Sequence, residues 1–173
     1  MNAAAAPQLS PLLTFSYDRA LAPLLWAFAS IMTVELIVVH IFVSALWSVW
    51  AAAILSGLSL AALAWIVLLI RSLKRLPVLV DPDGVTMRAG SLRSVRVPRD
   101  RIAGVRTAWA RERLEQRSVL NLALMNYPNI MLDLDPPLPA RRRHLQAVAH
   151  RLDDPAGFAA AVDRLLCMSI GQD

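Results

Sequence analysis

Glu35 is the only fully charged side chain between Ala20 and Ile70. A carboxylate near the middle of a membrane span costs at least about 2.5–3.5 kcal/mol on insertion scales and marks function by default. Two chemistries suit it. In one, Glu35 binds a proton or an ion, assisted by His40, although five positions along a helix place these two side chains about 140° apart. In the other, which is the plainer and preferred, a protonated Glu35 is hydrogen-bonded to a serine across a helical hairpin or touches another subunit. Ser56 and Ser59 are the polar candidates for the first of these contacts, and Ser56 is expected at the depth of Glu35.

A second concentration of chemistry is basic. Nine arginines, Arg88, Arg93, Arg96, Arg99, Arg101, Arg106, Arg111, Arg113 and Arg117, are opposed over thirty positions only by Asp100, Glu112 and Glu115. Such a set either binds anionic headgroups, at about 1 kcal/mol per basic residue held near the membrane, or forms a solvated face. Arg88, Arg93, Arg96, Arg99, Arg101 and Arg106 are the lipid- or anion-binding candidates. Arg141-Arg142-Arg143-His144 is a smaller patch, read as a solvated loop. Asp133 and Asp135, on one strand face, are read as a solvated edge.

Other chemistries find no footing. His40, His144 and His150 lack a paired ligand motif, and one cysteine, Cys167, allows neither an internal disulfide nor a cysteine-built zinc site. Cys167 is expected as a small buried helix residue. No nucleophile triad, phosphate-binding glycine loop or carboxylate pair stands out, so no catalytic residue, metal or cofactor is expected. The basic residues are not interleaved with stacking aromatics, which argues against nucleic acid.

The elements that must position these groups begin with the apolar run. As one helix, Ala20–Ile70 would extend roughly 77 Å against a hydrocarbon core of about 30 Å, so the run must fold back once. Segment 1–19 is expected to be a flexible start and 20–70 a transmembrane hairpin, with spans at Leu21–Val43 and Leu46–Ile70. The turn is expected at Ser44–Ser48, where Trp47 and Trp50 suit a membrane boundary. Trp26 and Trp65 would mark the other boundary. On span two, Ala53, Gly57 and Ala61 form a small-residue face that lets backbones approach, expected to pack on span one and otherwise available for a homo-oligomer. Arg19, Arg71, Lys74 and Arg75 flank an uncharged turn, which predicts both termini in the cytoplasm. Met1–Ser16 has no basic residue, which favours an uncleaved anchor over a signal peptide. The first 15 residues are expected to be loosely ordered, with Phe15 and Tyr17 touching the membrane interface.

After Ile70 the composition changes. An apolar content of 57% is high for a soluble chain and ordinary once about 50 residues are assigned to lipid. Of 18 basic residues 17 lie from Arg71 onward, with 11 of the 13 acidic ones, a net charge of +6. That charge implies an anionic partner. A domain over 76–168 is expected: a hairpin about Asp81-Pro82-Asp83-Gly84, strands at Leu92–Val97, Ile102–Trp109, Val119–Met125 and Ile130–Leu134, and a charged connector at Arg111–Arg117. Asp135-Pro136-Pro137-Leu138-Pro139 is expected to end the strand before it. Leu145–Leu152 is expected as a last strand, though its spacing also fits a helix. Asp153-Asp154-Pro155 predicts a capped helix to about Met168. Together these suggest two transmembrane helices followed by a small bent sheet or split barrel with a C-terminal helix.

Three segments carry a resemblance: Val80 with Asp83-Gly84-Val85, then Val97-Pro98-Arg99-Asp100-Arg101-Ile102-Ala103-Gly104-Val105, then Leu152-Asp153-Asp154-Pro155-Ala156-Gly157-Phe158. Over Leu76–Leu166 the chain resembles bacterial pleckstrin-homology-like domains, in particular those that follow a two-helix membrane anchor. The resemblance implies a seven-stranded barrel closed by a C-terminal helix, binding or scaffolding in place of chemistry, and no catalytic residue. The expected protein is a non-enzymatic one of the bacterial inner membrane that contacts the anionic lipid surface or a membrane or cytoplasmic protein. The alternative is an accessory subunit of a transporter or channel that uses Glu35.

Overall fold

The structure is a computed structural model that describes residues 12–19, 21–124, 127–140 and 143–170, with side chains to 167. The expectations placed on 1–11, on Met125 and Asn126, and on Arg141 and Arg142 lie outside the described residues.

Two helices, α1 (Ala22–Leu46) and α2 (Val49–Arg75), are long and apolar enough to cross a membrane. They form an antiparallel hairpin. The expected fold-back is there, and its turn, Trp47-Ser48, falls at the C-terminal end of the expected Ser44–Ser48 segment, about two residues past its centre. Ser44 does not break the helix because its hydroxyl donates to the Ile41 carbonyl within α1. Ser48 is the residue that starts α2, its Oγ accepting the Trp50 amide as an N-cap does. Pro23 opens α1 at a position where a missing N–H costs nothing.

The seam between the helices follows a period of 3.5. On α1 Ala22, Leu25, Ala29, Met32, Leu36, Val39 and Val43 are shielded, and on α2 Ala52, Ser56, Ser59, Leu63, Ile66, Ile70 and Leu73 are, with Ser44, Ala51, Val67, Leu69 and Ser72 beside these rows also partly or fully covered. Alternating steps of three and four are the signature of knobs-into-holes packing. Ala53, Gly57 and Ala61 are all exposed, and a side chain added at Gly57 would meet nothing. The expected packing of that face on span one is therefore corrected: the seam runs through its neighbours Ala52 and Ser56, and one residue is about 100° of helix rotation. Outward from the hairpin point Ile31, Val34, Ile41, Ile54, Leu58 and Leu68, all largely exposed, with Trp47 and Trp50 bare at the turn.

Outside the hairpin the chain builds two four-stranded sheets and a C-terminal helix. The first sheet runs in the order β1 (Leu13–Phe15), β2 (Val78–Asp81), β3 (Gly84–Ala89) and β4 (Arg93–Pro98), all antiparallel. The second contains β5 (Ile102–Arg106), β6 (Val119–Asn121), β7 (Ile130–Ala140) and β8 (Arg143–His150), in the order β5-β7-β8-β6. In it β6 lies parallel to β8. A 3-10 turn at Arg99–Arg101 joins the sheets, and α3 (Arg111–Leu114) is a single turn between β5 and β6. The C-terminal α4 (Pro155–Ile170) is present as predicted, and the Asp154 carboxylate accepts the Gly157 amide at its start.

Several expectations change. Leu13–Phe15 is not loose: it pairs with β2 in the register Leu13 to Val80 and Phe15 to Val78. Phe15 packs edge-on against Phe158 of α4 at 5.4 Å, and Tyr17 is buried at 2% exposure. β7 continues through Asp135–Pro139 because the ladder is interrupted between Asp133 and Leu138. Prolines, which have no amide to donate, are tolerated at such an irregularity. β6 is shorter than Val119–Met125 and β5 shorter than Ile102–Trp109. Cys167 is exposed, since Phe158, Ala161, Val162 and Leu165 form the buried stripe of α4. The core lies between the sheets and under α4, with Val78, Val85, Val97, Ile130, Leu132, Val148 and Phe158 fully enclosed.

Candidate functional site

Three groups of side chains bear on function. The first is the polar part of the hairpin seam. His40 Nδ1 and Ser56 Oγ share a hydrogen bond of 2.7 Å. The expected Glu35–Ser56 bond is thus replaced by His40–Ser56, because moving the turn toward the C-terminus brings a later residue of α1 level with Ser56. Glu35 opens onto a groove of about 200 Å3 with Met32, Leu36, Val39, Leu55, Ser56 and Ser59. His40 opens onto a different groove, about 350 Å3, with Ile37, Ile41, Gly57 and Leu60. The two grooves meet only at Leu36 and Ser56, so the hairpin separates Glu35 from His40.

The second group is the arginines, which the fold distributes among several sites. Arg96 reaches Asp81 at 3.4 Å and Asp83 at 3.8 Å. Arg101 donates to the Pro137 carbonyl at 2.8 Å. Arg106 and Arg113 converge on Asp133 from two elements, at 2.7 and 3.1 Å. Asp133 is only 17% exposed, so it is an ion-pair centre and not the solvated edge the sequence suggests. Arg99 is half-buried beside Pro82, Asp83, Asp100 and Leu166, and its Nε and Nη2 have no hydrogen-bond partner among the described residues. Arg143 and His144 open β8 and are exposed, with Arg143 donating to the Arg117 carbonyl.

Position along the sheet separates these arginines further. The β3–β4 turn packs on the end of α2, where Gly90, in a left-handed conformation with φ 55°, lies against Ser72 and Leu73. A Cβ there would crowd the Ser72 hydroxyl. Arg93 starts β4 beside this turn, whereas Pro98 ends it about 16 Å farther on at 3.3 Å per residue. Arg88 and Arg93 therefore lie at the hairpin end of the domain, and Arg99 and Arg101 toward the opposite end. Leu92, Leu124 and Tyr127 expose apolar surface; Leu92 follows the β3–β4 turn, and Leu124 lies beside Tyr17, Leu21 and Arg151.

The third group was not foreseen. The Tyr17 hydroxyl donates to the Leu76 carbonyl at 2.8 Å and accepts the Gly90 amide at 2.7 Å. Its ring leans on His150 at a centroid distance of 4.9 Å. His150 Nδ1 accepts the Arg151 amide, so Nε2 carries the proton and donates to the Arg88 carbonyl, both at 2.7 Å. This fixes a neutral imidazole. Burial pushes the His150 pKa below its ordinary value and the Tyr17 pKa above its own. The pair ties the chain before α1, the end of α2, the β3–β4 turn and β8 into one joint. No sequence motif marks it; the signal available was two amphipathic aromatic residues, Tyr17 and His150, each placed where an apolar pattern ends.

Among the described residues no three His, Cys, Asp or Glu side chains gather as metal ligands do. Comparison with protein-family models, with curated proteins and with solved structures finds no match.

Proposed function

We propose that this chain is a non-enzymatic binding protein of the bacterial inner membrane, in which the α1–α2 hairpin spans the bilayer and carries a pleckstrin-homology-like domain on the cytoplasmic face. The observation that carries this reading is the joint. Leu69, Ile70 and Leu73 of α2 are buried, and Tyr17 bonds both Leu76 and Gly90. A domain mounted this way keeps one end against the bilayer and presents the other to the cytoplasm.

The mounting divides the basic residues by partner. Arg71, Lys74 and Arg75 are exposed at the end of α2; with Arg88, Arg93 and Arg151 they sit where anionic headgroups would be, and Leu92 and Leu124 suit the boundary. Arg96, Arg99 and Arg101 face away and serve a protein partner. Dyes at Leu92→Cys and Asp100→Cys in a Cys167→Ser background, with the protein in nanodiscs, test the mounting through quenchers on lipid headgroups. Quenching at 92 but not at 100 is expected, and equal quenching would refute it. A photocrosslinker replacing Arg96 or Arg99 in cells should give a discrete protein adduct; none from either position would remove the partner half of the proposal.

A second reading, an accessory subunit of a transporter or channel, is favoured by one observation. Glu35 opens onto its own groove and away from His40.

A further inference from the structure

Glu35 lies about 18 Å from Trp47 along α1, at 1.5 Å of rise per residue, and is exposed. That is near the middle of a hydrocarbon core about 30 Å thick. The side-chain hydrogen bonds of α1 and α2 involve Ser30, Thr33, His40 with Ser56, Ser44 and Ser72. Among the described residues none reaches Glu35 or Ser59. Both side chains line the same groove, between the apolar walls Met32, Val39 and Leu55.

We infer that this groove seats a transmembrane helix of a different protein that carries a lysine or arginine at mid-depth. Hydrocarbon has no water to satisfy a carboxylate, and acids within spans pair with opposite charge or face a bundle interior. A groove between two helices accepts the side-chain ridge of a third, and the serine beside Glu35 adds a second hydrogen-bonding group for an ammonium or guanidinium. A second copy of this chain does not fit the site. Between Arg19 and Arg71 it has no lysine or arginine, and His40 is bonded to Ser56 and opens onto the other groove. The inference rests on the hairpin spanning the bilayer, and is independent of what the domain binds.

The test uses the full chain in phosphatidylcholine vesicles, with a dye at Trp47→Cys in a Cys167→Ser background. The probe is a labelled leucine-alanine transmembrane helix with one central lysine, compared with the same helix carrying leucine there. Energy transfer should show the lysine helix associating about tenfold more strongly at neutral pH, the scale of one good polar contact in a bilayer. Glu35→Leu should abolish the preference, and Ser59→Leu, which fills the groove, should weaken it with the carboxylate intact. Equal association of the two helices, or a lysine preference that survives Glu35→Leu, would overturn the inference. So would transfer between two labelled copies of the chain that Glu35→Leu removes. Resistance to alkaline extraction, measured on the same vesicles, reports insertion of the hairpin separately, so loss of the groove and loss of the anchor are distinguishable.

Discussion

Tyr17→Phe isolates the joint between anchor and domain. The substitution keeps the ring against His150 and removes one hydroxyl that makes two bonds, to the Leu76 carbonyl and from the Gly90 amide. Gly90 is buried, so its amide is stranded without water, at a cost of about 1–3 kcal/mol. The Leu76 carbonyl is in a half-buried residue that water can reach, and its loss is about 0.5–1 kcal/mol. The sum, about 1.5–4 kcal/mol, is a large share of the roughly 5–15 kcal/mol that holds a typical domain. Hydrogen exchange of the full chain in nanodiscs reads it directly. The slowest amides of β7 and β8 should exchange about 10- to 700-fold faster, while those of α1 and α2 near the turn should not change. A shift below about 0.5 kcal/mol in β7 and β8 would refute the assignment of the joint.

Acid should weaken the same joint. Because the His150 pKa is lowered in the folded protein, its contribution is complete above the ordinary value of 6.5 and is lost as pH falls below it, where the unfolded chain takes up the proton first. Tyr17, Arg88 and Arg151 surround the imidazole and offer it no carboxylate, so thermal unfolding followed from pH 7.5 to 5 should fall more in the wild type than in His150→Gln. Asp133→Asn should destabilise the domain by about 1–2 kcal/mol, since Arg106 and Arg113 lose one shared charged partner; an unchanged denaturation midpoint would show that the triad contributes nothing. An impermeant thiol reagent applied to intact cells should label Trp47→Cys and leave Ser16→Cys unmodified, each in a Cys167→Ser background, and should leave Cys167 of the unsubstituted chain unmodified, whereas labelling at 16 or 167 would reverse the proposed orientation.

The hairpin is legible because one charge in the run Ala20–Ile70 leaves few alternatives, and β2, β3, β4 and α4 are legible from alternation, turn chemistry and the Asp-Asp-Pro cap, whereas the spacing of β8 fits a helix as well as a strand. The seam is not legible. In hydrocarbon both sides of a helix are apolar, so Ala53-Gly57-Ala61 and Ala52-Ser56-Ser59 look alike, and the choice between them depends on where the turn falls. The turn depends on Ser48 capping α2 and Ser44 satisfying itself within α1, a distinction that two serines in similar company do not announce. β1 was hidden for another reason. Leu13-Thr14-Phe15 is too short to show a period, and its partner Val78–Val80 lies beyond the whole hairpin. Arginine density along a sequence does not specify a face: Asp133 collects two of the arginines and Asp81 a third.

In the proposed topology the chain leaves and re-enters one side of the membrane, and the segment before α1 closes the domain formed after α2. A disulfide between Thr14→Cys and Leu79→Cys, in a Cys167→Ser background, tests it in native membranes. These positions are register partners in adjacent antiparallel strands, where side chains begin about 4.5–5.5 Å apart and a bridge is within reach. Near-complete intramolecular oxidation, seen as faster migration on a non-reducing gel, is expected in the membrane fraction. Two free thiols that label fully after mild oxidation, in protein that stays membrane-bound, would contradict this topology.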